Sequence, residues 1–137
     1  MFFGRFLITI NCVVYVAIAM WAIIDPQSLL SSIDLVVLSK AGMIEMQVLI
    51  AGSMFAFSGI LCAGIFNLKQ TKRSLVGLLI INGAWFVTRL IALIDGWSEN
   101  KMTYAYLGFE LIMLILVILI LWISTINPER KLFSQNK

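Results

Sequence analysis

The chain has 137 residues, of which 61% are hydrophobic and 12% charged, with a formal charge of +3 and a mean hydropathy of +1.01. Soluble domains carry roughly 25% charged residues, so there are too few polar groups here to cover a surface facing water, and a lipid environment is expected. The basic excess does not point to nucleic acid, because Lys and Arg sit in short clusters beside apolar runs and form no patch interleaved with aromatics.

A bilayer core ~30 Å thick needs about 20 apolar residues at ~1.5 Å rise each. The first such run, between Arg5 and Asp25, predicts a helix over 6–24 that Asp25-Pro26 stops. Arg5, the apolar stretch and Ala17-Ile18-Ala19 also imitate a signal peptide with its cleavage site. Continuation of the run through Met20 to Ile24 favours a retained span. Next, Leu29, Leu30, Ile33, Val36 and Val37 recur at helical spacing beside Gln27, Ser28, Ser31 and Ser32. They predict an interfacial helix over 28–38 lying flat on the bilayer, with an irregular apolar loop over the bundle as the alternative.

The second run, between Glu45 and Lys69, predicts a helix over 43–67, and the short link Asn67 to Ser74 makes it an antiparallel neighbour of the third. The third helix covers 74–94, carries one charge, Arg89, and ends at Asp95-Gly96. The fourth run lies between Glu110 and Glu129; its helix, over 106–126, stops at Asn127-Pro128. Runs this long without alternation are helices. The expected fold is all-α: one integral membrane domain over 1–137, a four-helix bundle.

Charge placement orients it. Arg5, the link residues Lys69, Lys72 and Arg73, and the tail residues Arg130, Lys131 and Lys137 share one side with a single acid, Glu129. The other side holds Lys40 and Lys101 against Asp25, Asp34, Asp95 and Glu99. The positive-inside rule makes the first side, with both the N and C termini, cytoplasmic, and the location a plasma or inner cell membrane. Trp21, Trp97, Tyr104 and Tyr106 toward the outer ends, with Phe2, Phe3 and Trp122 toward the inner ones, fit interfacial aromatic belts.

Three charges fall within the spans: Glu45, Arg89 and Glu110. An ionisable group in lipid is costly enough to need a partner or a role. Counting along the helices places each roughly 5 to 9 Å below the outer boundary, at one depth with opposite signs, so all three are expected to meet. Glu45, Gly52, Ala56, Gly59 and Ala63 fall within a narrow arc of helix two, and small residues let helices approach closely, so that face is expected to turn into the bundle. On helix three Asn82 lies seven residues before Arg89 on the same face, and Asn11 of helix one lies at a similar depth, so an Asn11 to Asn82 hydrogen bond is open to them.

Three readings of the Glu45, Arg89 and Glu110 cluster stand side by side. It can lock three helices in register, Arg89 can instead snorkel to the outer headgroups, or the group can be a working site for a proton, ion or polar ligand. Gln47 and Ser58 share a second face of helix two and read as bonds to a neighbouring helix. Cys12 and Cys62 lie in apolar runs and indicate no disulfide framework. Histidine is absent, which removes the commonest zinc ligand and general base; no metal, cofactor or catalytic residue is expected.

At these residues the chain resembles a family of small bacterial membrane proteins known as domain of unknown function 4345, from about Glu45 to Ile126. The marks are an acid opening helix two before a small-residue run, an Arg followed by an Asp-Gly turn, and an acid opening helix four. Here they read as Glu45 with Ala51-Gly52, Arg89 with Asp95-Gly96, and Glu110. The family commonly has an Arg two places after the first acid, where this chain has Gln47, leaving one fewer positive charge for the cluster. The resemblance implies a four-helix membrane fold and no established activity.

The functional expectation is a non-enzymatic bundle that binds lipid, a protein partner or a second copy as an accessory or scaffold. It follows from the lack of a nucleophile and base pair, metal set or nucleotide loop. The alternative from another class is a proton-linked carrier or sensor of a small amphipathic molecule using the Glu/Arg/Glu group. A membrane enzyme using Glu45 or Glu110 as acid or base on a lipid is the third, and no nucleophile or metal accompanies it.

Overall fold

The computed structural model describes residues 2–94 and 101–126; Asp95, Trp97, Glu99 and the tail beyond Ile126 lie outside the described residues. Among the described residues there are five helices and no strand: α1 (Phe2–Ile24), α2 (Pro26–Ser32), α3 (Lys40–Phe66), α4 (Leu68–Ile94) and α5 (Lys101–Ile126). All but α2 are long and apolar enough to cross a membrane.

A short helix does form in the link where one over 28–38 was expected, but it covers Pro26–Ser32. Pro26 opens α2 with its preset φ, and the Asp25 carboxylate accepts the Ser28 amide at 3.0 Å. Its end is a Schellman closure: the Leu35 amide donates to the Leu30 carbonyl at 2.9 Å and the Asp34 amide to Ser31 at 3.1 Å, with Asp34 at φ 56°. Asp tolerates that left-handed conformation better than most residues, so the chain turns at position 34 and leaves Val36 and Leu38 exposed.

After this turn Ser39 caps α3, its hydroxyl accepting the Gly42 amide at 3.0 Å, and the helix starts at Lys40, earlier than its apolar run. The link to α4 also differs from the expected loop over Asn67 to Ser74. It shrinks to Asn67, whose side-chain oxygen accepts the Lys69 amide at 2.9 Å and whose carbonyl accepts those of Gln70 and Thr71. Lys, Gln and Arg are good helix formers, so Lys69 to Arg73 continue the helix once it is capped.

The four long helices alternate in direction, and α3 and α5 stand across from one another, each packed on α1 and α4. The helices α1 and α4 run the same way and touch along the shorter diagonal. Gly4 sits against Thr71 and Leu75 there; a Cβ on it would lie 3.0 Å from the Leu75 Cδ1. Between them lies a core of Leu7, Ile8, Cys12, Tyr15, Leu61, Leu75, Leu78, Met113 and Val117. A smaller cluster of Ala19, Ala22, Leu29 and Ala51 joins α2 to α1 and α3.

Outside, the helices are as apolar as within: Val13, Leu49, Ile60, Ile80, Ile112 and Ile123 are all exposed. Near the Asn67 turn, α3 and α4 meet most tightly, because a Cβ on Gly64 would fall 2.5 Å from Ser74, and the Thr71 hydroxyl donates to the Gly64 carbonyl at 2.9 Å. Around Gly52 and Gly59, in contrast, the space is open. Gly64→Ala is expected to destabilise the fold by about 1–3 kcal/mol through overpacking, whereas Gly52→Ala gains about 0.5–1 kcal/mol of helix stability. Reversible unfolding of both variants in mixed micelles checks the pair; equal shifts would contradict this packing.

Candidate functional site

Most buried polar side chains come from α1, α4 and α5, with Ser58 of α3 beside them. Arg89 lies five residues before the end of α4, and Glu110 projects from α5 toward it. The guanidinium grips the carboxylate at two points: Nε lies 3.2 Å from both Oε1 and Oε2, and Nη2 lies 3.0 Å from Oε1. This forked geometry is the strong form of an Arg and carboxylate pair. Burial is uneven, with 4% of the Glu110 side chain exposed against 29% of Arg89. Tyr106, one turn before Glu110, lays its ring 5.2 Å from the guanidinium carbon and covers the open side of the arginine.

Further into the bundle lie Asn82 of α4, Tyr15 of α1 and Asn11 of α1, all fully buried. Asn82 Nδ2 donates to the Leu78 carbonyl at 3.1 Å, and Asn11 Nδ2 to the Leu7 carbonyl at 3.0 Å and toward Met113 Sδ at 3.5 Å. The expected Asn11 to Asn82 hydrogen bond is therefore not made, because each amide turns back on a carbonyl of its own helix. The oxygens of both carboxamides and the Tyr15 hydroxyl make no bond at full hydrogen-bond geometry, although the Asn82 side chain lies beside the Tyr15 hydroxyl. Tyr15 also packs edge-on against Phe57 and Trp85, with ring centres 6.2 and 5.6 Å away, and those two rings meet at 5.6 Å. Reading the sequence missed Tyr15. The available signal was its four-residue spacing from Asn11, which puts both on one helix face.

Glu45 corrects the expected three-charge cluster. It is exposed on α3 and takes no part in the Arg89 and Glu110 pair. The reason is topological: α3 and α5 occupy opposite corners, so a guanidinium from α4 that reaches the α5 carboxylate turns away from α3. The rotation of α3 adds to this. Gly52, Ala56, Gly59 and Ala63, expected to face inward with Glu45, are all exposed, and nothing lies within 4 Å of a Cβ built on Gly52 or Gly59.

The inward face of α3 is instead the one carrying Gln47, Ala51, Ser58 and Leu61. Gln47 Nε2 donates to the Ile23 carbonyl at 3.1 Å, and the Cys12 thiol approaches the Ser58 carbonyl at 3.7 Å. Cys12 and Cys62 are free thiols. Asp95, the further polar candidate at the end of the third run, lies outside the described residues.

Among the described residues no three His, Cys, Asp or Glu side chains gather into a group able to hold a metal. A cleft of about 440 Å³ opens where α2 meets the start of α3, lined by Asp25, Gln27, Ser39 and Lys40 together with apolar residues, and it includes none of the predicted polar cluster. No protein-family model, curated protein or solved structure matches the chain.

Chemically, the Arg89 and Glu110 pair is matched in charge, so it fixes α4 to α5. Breaking a buried pair by removing one partner costs about 3–5 kcal/mol, while replacing both by apolar residues is far less damaging. Arg89→Leu, Glu110→Leu and their double variant are expected to follow that pattern in a double-mutant unfolding cycle. Strictly additive losses would contradict a coupled pair.

Proposed function

We propose that this chain is a multi-pass membrane protein that works by binding and not by catalysis, an accessory bundle whose outer α3 face receives a transmembrane helix of a partner protein or of a second copy. The carrying observation is the exposed stripe Gly52, Ala56, Gly59 and Ala63, with Val48 and Phe55 exposed along one side and Leu49 and Ile60 along the other. Its spacing, small residues every three or four positions, is that of faces on which helix backbones approach closely in lipid. Such a stripe turned outward packs nothing within its own chain.

Membrane placement is supported by the apolar exterior and the four helices of spanning length. The orientation with cytoplasmic termini draws on charge: the Arg5 guanidinium donates to the Phe66 carbonyl at 3.4 Å, so the basic N-terminal end and the basic turn of Lys69, Lys72 and Arg73 lie at one end of the bundle. Lipids cover the remaining surface, and the plasma or inner membrane suits the family resemblance. No nucleic acid partner and no cofactor belong to this reading.

A photo-crosslinking residue at position 56, activated in native membranes, is expected to yield an adduct heavier than the lone chain, with the mass telling a partner from a second copy. Gly59→Ile fills the groove without touching the core and should reduce that adduct several-fold. Recovery of the lone chain, or an adduct indifferent to Gly59→Ile, would count against the proposal.

The burial of Glu110 favours a second reading, a proton-linked carrier or sensor of a small amphipathic cation or acid, in which Arg89 and the carboxylate separate when ligand enters. Ligand-driven proton flux in liposomes would be abolished by Glu110→Gln and little changed by Glu45→Gln. Flux insensitive to Glu110→Gln removes this reading.

A further inference from the structure

Three polar atoms deep in the bundle make no hydrogen bond of full geometry: Asn11 Oδ1, Asn82 Oδ1 and the Tyr15 hydroxyl, in side chains 0%, 1% and 1% exposed, with the hydroxyl beside the Asn82 side chain. Orphaned polar atoms at such burial cost free energy unless something pairs them. Their register brings them together. The helices α1 and α4 run the same way, and Gly4 lies against Thr71 and Leu75. Seven residues further along both helices, Asn11 therefore reaches the level of residues 78–82, where Asn82 stands. Tyr15 arrives one turn higher, beside Trp85, and a long helical side chain points back toward its helix N-terminus, which carries the hydroxyl down toward the two carboxamides.

Both amide nitrogens are already committed to carbonyls of their own helices. What remains is two acceptor oxygens and one hydroxyl able to donate. A direct bond from the phenol would satisfy only one of the two oxygens. A metal cation suits the place poorly, since three neutral oxygens among Leu78 and Met113 fall short of the roughly six or more ligands that hard cations take. Water supplies two donors and two acceptors, and buried waters typically make about three hydrogen bonds to groups of this kind.

We propose that the bundle interior binds one water molecule at the junction of Asn11, Tyr15 and Asn82, donating a hydrogen bond to each carboxamide oxygen and accepting one from the Tyr15 hydroxyl. The site ties α1 to α4 on the diagonal where they touch and places a polar, exchangeable group one helical turn from the level of Trp85, below the Arg89 and Glu110 pair. It is independent of what docks on α3.

The test is solution NMR of the full chain in lipid nanodiscs with ¹⁵N-labelled asparagine. Rotating-frame Overhauser peaks of through-space sign, opposite to exchange peaks, are expected between water and the Nδ2 protons of both Asn11 and Asn82. Their absence at both residues overturns the proposal. Melting of Asn11→Leu and Asn82→Leu gives a second readout: with the water bound, each variant strips it of a partner and the melting temperature falls. A rise in both, the result for a dry core relieved of orphaned oxygens, overturns it as well.

Discussion

The rotation of α3 about its own axis is the constraint on which the rest of this structure depends. A helix has one inward face, and three contacts choose it here: Gly64 against Ser74 at the end by the Asn67 turn, the Ser58 carbonyl against the Cys12 thiol, and Gln47 bonded to the Ile23 carbonyl at the end by α2. Between them Phe57 enters the ring cluster with Tyr15 and Trp85. Turning α3 by half a revolution would forfeit all of these in exchange for a close approach at Gly52 and Gly59. The observed rotation sends Glu45 outward with the small-residue stripe and turns the uncharged Gln47 and Ser58 toward α1 instead.

Inside, charge and polarity are arranged in layers. The pair of Arg89 and Glu110 sits near the end of α4 and the start of α5, roofed by Tyr106, and is balanced in charge. Beneath it the neutral groups Asn82, Tyr15 and Asn11 mark the seam between α1 and α4. In the lipid environment proposed for this bundle, hydrogen bonds and close packing hold helices together more than apolar burial does. That explains why the seam is built from asparagines, a tyrosine and Gly4 and not from further leucines.

Much of this was legible from the residues. Four apolar runs of sufficient length specify four helices whatever their packing, and opposite signs at a shared depth pair Arg89 with Glu110. The rotation of α3 was not legible, because a face of Gly and Ala reads equally as a contact with a neighbour inside the chain or with one outside it. Helix ends were read too far from the turns: the chain prolongs α4 through Lys69 to Arg73 because Asn67 caps it, a detail that hydropathy does not register. The short helix α2 stops early because Asp34 accepts a left-handed backbone, which apolar spacing does not reveal. Tyr15 was overlooked because an aromatic residue in an apolar run resembles a lipid contact until its neighbours are known.

The most direct measurement is solid-state NMR of the unmodified chain, ¹³C-labelled at glycine, at high lipid-to-protein ratio, following magnetisation from lipid acyl chains into each glycine. Early build-up at Gly52 and Gly59 with late build-up at Gly64 is what an outward stripe on α3 predicts. Early build-up at Gly64, with Gly52 and Gly59 shielded, would mean that the helix is turned the other way and would contradict this account.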